Sequence, residues 1–180
     1  MPTKTKTIPD ATLKIWALLR MSLGLTFLWA FFDKLIGLGF ATCRDAVTGS
    51  VTTMCSRAWL EGGSPTTGFL KSGTTGPFAE FYQSLAGNTF IDWLFMAGLL
   101  LIGAALILGI GVRVATVTGS FLLYLMWTAV LPPENNPVLD DHLIYILVLA
   151  GVFAANNNQK WGLRGWWVKQ PIVKKLPFLE

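Results

Sequence analysis

The sequence predicts an all-α integral membrane protein, an antiparallel four-helix bundle with one long extracytoplasmic loop between its first and second helices. Three observations predict it. The 180-residue chain is 53% hydrophobic and only 13% charged, with a mean hydropathy of +0.54, too apolar for a soluble surface. Four runs in it suit a bilayer. The basic residues between those runs sort to one side.

The first run covers 15–32 and extends toward Phe40; the second covers 91–110 and the third 114–131. The fourth, 142–155, is short against the ~20 residues a spanning helix needs. It gains a first turn if Asp140 and Asp141 belong to it. An even number of spans puts both termini on one side, with Lys4, Lys6, Lys14, Arg20, Arg113, Lys160, Arg164, Lys169, Lys174 and Lys175. The other side holds Lys34, Arg44, Arg57 and Lys71. Ten basic residues against four place both termini in the cytoplasm of a multi-pass cell-membrane protein. The net charge of +4 is a topology signal, and basic residues that flank spans make no nucleic-acid stripe. Lys4, Lys6 and Lys14 could also form the n-region of a signal peptide. The long apolar run without a small-x-small cleavage pattern favours an uncleaved helix.

One membrane domain is expected over 1–180, with an outer loop at about 41–88 and a basic, Trp-rich cytoplasmic tail at about 156–180. The loop is rich in Gly, Ser and Thr. Phe78, Phe81, Tyr82 and Leu85 fall at helical spacing within it and predict a short amphipathic helix on the outer face, as a cap or as a lid. Cys43 and Cys55 lie with eleven residues between them where oxidation is permitted, so a disulfide is expected. Free thiols or a redox-active pair are the alternatives, although the spacing is not CxxC. Gly98, Gly103 and Gly109 with Ala104 and Ala105 predict close packing of the second span, and Ala105-x-x-x-Gly109 puts two small residues on one face. The run 109–113, Gly-Ile-Gly-Val-Arg, predicts a tight inner turn. Trp161, Trp166 and Trp167 among Lys160, Arg164 and Lys169 predict an interfacial anchor on an anionic leaflet. No repeat or heptad run stands out.

Two polar sets remain. On the first helix, Arg20 sits toward the cytoplasmic end and Asp33 and Lys34 toward the outside, roughly 20 Å away at about 1.5 Å per residue. Arg20 and Lys34 can snorkel; Asp33 needs a basic neighbour or the bundle interior. The second set is the stretch 132–142, Pro-Pro-Glu-Asn-Asn-Pro-Val-Leu-Asp-Asp-His, which contains the only histidine. Topology brings Glu134, Asn135, Asn136, Asp140, Asp141 and His142 to the depth of Asp33 and Lys34. Ionisable groups at the mouth of a membrane helix mark a functional site by default. His142 titrates near neutrality, and an adjacent carboxylate would orient its ring, so it could pass protons to a quinone at the outer leaflet. The competing reading is local: Asn136-Pro137 makes a turn, and Asp140 or Asp141 caps the fourth helix. A single histidine cannot give bis-histidine haem ligation, and no haem, flavin, iron–sulfur, zinc or nucleotide motif is present. Nothing in the spacing demands a metal.

The chain resembles the DoxX/DoxD family of small four-helix membrane proteins. The likeness lies in 20–27, Arg-Met-Ser-Leu-Gly-Leu-Thr-Phe, followed by Asp33-Lys34-Leu35, and in Gly103 with 108–113, Leu-Gly-Ile-Gly-Val-Arg. It continues in 135–142, Asn-Asn-Pro-Val-Leu-Asp-Asp-His, in Trp161-Gly-Leu-Arg164, and in the outer-loop run 59–87. The resemblance implies a membrane subunit of a redox system, with DoxD-type members forming the large subunit of a thiosulfate:quinone oxidoreductase. That activity oxidises thiosulfate to tetrathionate and reduces a membrane quinone, with a smaller partner subunit; other relatives are linked to membrane oxidoreductase assemblies. The catalytic candidates are then His142, Asp141, Asp140, Asp33 and Lys34. Glu134, Asn135, Asn136 and Arg20 are candidates for binding the quinone, and Arg44 and Arg57, with Lys34, for attracting the thiosulfate dianion. The alternative is an accessory subunit docked to a larger respiratory complex.

Overall fold

The computed structural model describes residues 8–180, so Lys4 and Lys6 of the cytoplasmic charge set lie outside the described residues. These residues are helical or irregular; the only pairing of extended backbone among them is an isolated bridge between Arg44 and Val51. Helix α1 spans Asp10–Ile36, and two short helices follow, α2 at Thr67–Ser72 and α3 at Ala79–Ser84. The long helices α4 (Thr89–Leu108), α5 (Val112–Ala129) and α6 (Asp141–Ala155) come next. The tail adds α7 (Arg164–Trp167) and α8 (Pro171–Lys175). Helices α1, α4 and α5 are long and apolar enough to cross a membrane.

Local chemistry sets the helix boundaries. α1 begins after Pro9 and stops at Gly37, whose left-handed φ of 72° turns its N–H back onto the carbonyl of Asp33. The extension of this helix to Phe40 is therefore cut short by one glycine. The Asn88 side chain accepts from Phe90 N–H at 2.9 Å and caps α4. Gly109 and Gly111, both at positive φ, form the tight turn to α5. Asp140 caps α6 by accepting from Leu143 N–H at 3.2 Å, and Asp141 opens the helix.

α1 lies between α4 and α6, and α5 lies between the same two. The α1–α4 contacts run from Arg20 at Leu106, through Gly24 at Gly103, to Lys34 over Phe95, so the two helices are antiparallel. Gly24 and Gly103 make the close approach. A Cβ at Gly24 would meet the backbone of Ile107 and Gly103 at 3.0 and 3.1 Å. Ala105 packs against the core and Gly109, the helix stop, closely approaches Gly162, whereas Gly98 faces open space.

Leu23, Phe27, Met96, Leu106, Leu123 and Leu149 lead the buried core. Outward, Leu25, Trp29, Leu101, Phe121 and Leu147 are exposed along the long helices. Helices apolar on their outer as well as their inner faces suit a lipid bilayer.

The 41–88 segment is tied to the helix ends. Leu70 and Tyr82 pack on Ala129, the last residue of α5, and Tyr82 Oη lies 2.6 Å from Thr128 Oγ1. Thr75 N–H donates to Ala129 O at 2.9 Å. The amphipathic helix expected near 77–85 forms as α3 with a 3₁₀ turn before it, its Tyr82 buried and Phe78 and Phe81 exposed. Cys43 and Cys55 are joined in a disulfide with Cα atoms 5.7 Å apart.

Candidate functional site

The polar residues at the C-terminal end of α1 and before α6 do two kinds of work. His142 Nδ1 lies 2.5 Å from Asp140 Oδ2, while Asp140 Oδ1 caps α6, so this carboxylate both ends the loop and orients the imidazole. The His142 side chain is 22% exposed, so it is partly open to its surroundings. Asp141 is exposed. Asn136 Oδ1 accepts from Val138 and Leu139 N–H at 2.9 and 3.0 Å, the turn expected at Asn136-Pro137. Trp127 Nε1 donates to Val138 O at 3.0 Å and fastens that turn to the end of α5. Glu134 and Asn135 are exposed beside it.

Asp33 is 1% exposed, and its partners are backbone groups: Phe40 N–H donates to Oδ1 at 2.9 Å and Ala41 N–H to Oδ2 at 3.0 Å. A short acceptor on the last turn of α1 thus holds the chain as it leaves the helix. Lys34 Nζ sits 5.9 Å from the centroid of the Phe95 ring, a cation–π contact between α1 and α4. Among the described residues no hydrogen bond or ion pair joins Asp33 or Lys34 to Glu134, Asp140, Asp141 or His142.

Arg57 Nη2 donates to Arg44 O at 2.8 Å, so one guanidinium is spent on the disulfide loop. A shallow depression of about 240 Å³ lies beside the disulfide, lined by Asp45, Ser50, Thr52, Ser56 and Arg57. An anion there meets the Asp45 carboxylate as well as the Arg57 charge. No group of three or more His, Cys, Asp or Glu side chains among the described residues is arranged to hold a metal ion.

No family model, curated protein or solved structure matches the chain.

Arg20, the eleventh residue of α1, is 1% exposed, its guanidinium enclosed by protein. Nη1 donates to the carbonyls of Leu106 and Ile107, the latter at 3.1 Å, and Nη2 to Lys160 O at 3.3 Å and Trp161 O at 2.9 Å. The first two are carbonyls of the last turn of α4, which lack an intrahelical donor and carry the negative end of the helix dipole. A cation suits them without a carboxylate.

Three polar residues escaped the sequence reading. Asp92, in the first turn of α4, is buried and accepts from Ser64 Oγ at 2.9 Å, Thr66 Oγ1 at 2.6 Å and Thr66 N–H at 3.3 Å. Asn156 and Gln159 follow α6 and lie beside Arg20, where both line one cleft. Their signal was present as the run 156–159, Asn-Asn-Asn-Gln, directly after an apolar span.

Proposed function

We propose that the four long helices form an antiparallel membrane bundle with both termini in the cytoplasm, serving as a membrane subunit of a redox system. α6 has 15 residues, and the 3₁₀ turn Asn156–Asn158 lengthens it to about 28 Å, close to a hydrocarbon core of about 30 Å. The observation that carries the redox reading is the His142–Asp140 pair at the start of α6. A carboxylate-oriented imidazole at a helix mouth is suited to moving protons to a lipid-soluble carrier.

The substrates come from the resemblance to the DoxX/DoxD family. Two thiosulfates joining as tetrathionate release two electrons, and a quinone accepts these with two protons to become a quinol. His142 passes both protons in turn, taking each from water before handing it on, with Asp141 exposed beside it. Asn135 and Asn136, seven and six residues before His142 in the chain, are the candidates for binding. The test is thiosulfate-dependent quinone reduction by the natively purified assembly. His142→Gln should lower turnover at least tenfold while the melting temperature holds; unchanged turnover overturns the reading.

The second reading is an accessory subunit docked to a larger respiratory or redox complex. It is favoured by how Arg20, Asp33, Asn136 and Arg57 spend polar atoms on the chain's own backbone. It predicts co-purification with that complex and no turnover by the isolated chain.

A further inference from the structure

The cleft between the first half of α1 and the end of α6 gathers several buried polar side chains beside apolar ones. Its walls are Leu13, Trp16, Ala17, Val152 and Ala155, with Arg20, Asn156 and Gln159 among its polar lining. Asn156 is 2% exposed, and neither its Nδ2 nor its Oδ1 has a hydrogen-bond partner among the described residues. Arg20 Nε and Gln159 Oε1 are buried without a partner as well. Such an atom costs about 1–3 kcal/mol, and native proteins seldom leave one so. Here four fall on residues lining a single cleft.

We propose that this cleft is a binding site for one neutral hydroxyl-type oxygen, carried by a water or by the hydroxyl of a membrane amphiphile. The donor inventory selects that chemistry. Arg20 Nε and Asn156 Nδ2 need an acceptor, and Asn156 Oδ1 and Gln159 Oε1 need a donor. An anion satisfies the first two and leaves the oxygens unpaired; a cation does the reverse. An oxygen that accepts and donates serves both kinds: the two lone pairs and two protons of a water match all four atoms, and the single proton of a hydroxyl matches three. Flipping the Asn156 amide does not change the count.

Size agrees. The cleft has about 10 Å³ for a water-sized sphere, roughly one water position. The rim is closed by Lys160 Nζ, which reaches Asp10 Oδ1 at 2.9 Å, while Asp10 Oδ2 holds Lys14 at 2.8 Å. The apolar wall with Trp16 gives the chain of an amphiphile a surface to lie on. Either source completes the shell of Arg20, whose other N–H groups fasten the end of α4 to the 160–161 segment.

The test is a high-resolution structure of the full wild-type chain in lipid nanodiscs, combined with native mass spectrometry. Density for one non-protein oxygen within hydrogen-bond distance of Arg20 Nε and Asn156 is expected. A single retained amphiphile mass assigns that oxygen to a lipid hydroxyl, and no retained mass assigns it to water. Direct pairing of these four atoms with protein groups, or no density, overturns the site. Asn156→Leu gives an independent arm. Losing the bound oxygen should lower the melting temperature by about 4 °C or more. An unchanged or raised melting temperature, as expected if the amide is merely unsatisfied, counts against it.

Discussion

Arg20 on α1 donates to the main-chain oxygen of Trp161, 2.9 Å away across 141 residues of sequence. The same guanidinium holds Leu106 and Ile107 at the end of α4. One planar fork therefore ties together the first helix, a helix terminus and the start of the tail. Arg20→Met should leave these carbonyls without that donor in a buried site, costing about 3–5 kcal/mol. Arg20→Lys keeps the charge but has three donors for four oxygens and no fork, so it should fall between. Melting curves in one detergent order the three proteins. Arg20→Met melting like the wild type would remove the hub.

Gly37 ends α1 at φ 72°, and a Cβ there would collide with Cys43 Sγ and, at 2.8 Å, with Cys43 Cβ. Gly37→Ala should therefore oppose both the helix stop and the disulfide. The left-handed conformation alone costs about 1–2 kcal/mol for an L-residue. Removing the cross-link with Cys43→Ser and Cys55→Ser should cost up to about 3 kcal/mol from loop entropy. The measurement is proteolysis of the 41–88 segment: both changes should speed cleavage there, and equal rates would contradict them.

The helices were legible because their signals are local. Apolar run length, Asn88 before α4, Asp140 before α6 and the 109–111 glycines all act within a few residues. The cysteine pair was legible as a candidate because its spacing suits closure of a short loop. The partners of Arg20 and Asp33 were not, because both bond to backbone, and every residue carries a carbonyl and nearly every one an N–H. Reading charge alone makes Asp33 look like half of an ion pair. Gly24 was silent too, since a lone glycine in a span reveals nothing of the Gly103 backbone it meets. For His142 a nearby carboxylate was legible, but not which one: the cap geometry brings Asp140 within reach of the imidazole and leaves Asp141 exposed.

Asp92 Oδ1 gathers three donors from Ser64 and Thr66 at the N-terminal turn of α4. Two effects can be separated here by substitution. Asp92→Asn keeps an acceptor oxygen and loses only the charge favoured by the helix dipole, about 0.5–1 kcal/mol. Asp92→Ala strands the buried Thr66 hydroxyl and its N–H, about 2–3 kcal/mol. Hydrogen exchange over 64–67 should rise strongly for the alanine variant and slightly for the asparagine variant. Equal effects would mean that charge, and not acceptance, is what matters.

Asp45 makes the outer loop acid-sensitive. The Thr48 N–H, at 2.7 Å, then the Thr48 hydroxyl at 2.9 Å and the Val47 N–H at 3.0 Å hold its carboxyl below the usual 3.8, with Arg57 adding its charge. A carboxyl whose folded pKa lies below the unfolded one stabilises the fold fully above the unfolded value. That contribution is lost as pH falls from about 3.8 through the folded pKa. The wild type should therefore be more stable than Asp45→Asn near neutral pH, and the difference should close in that acid window. Side-chain carboxyl NMR gives the midpoint directly. A titration at or above 3.8, or a gap between the two proteins that persists into strong acid, would show that the turn does not hold the charged form.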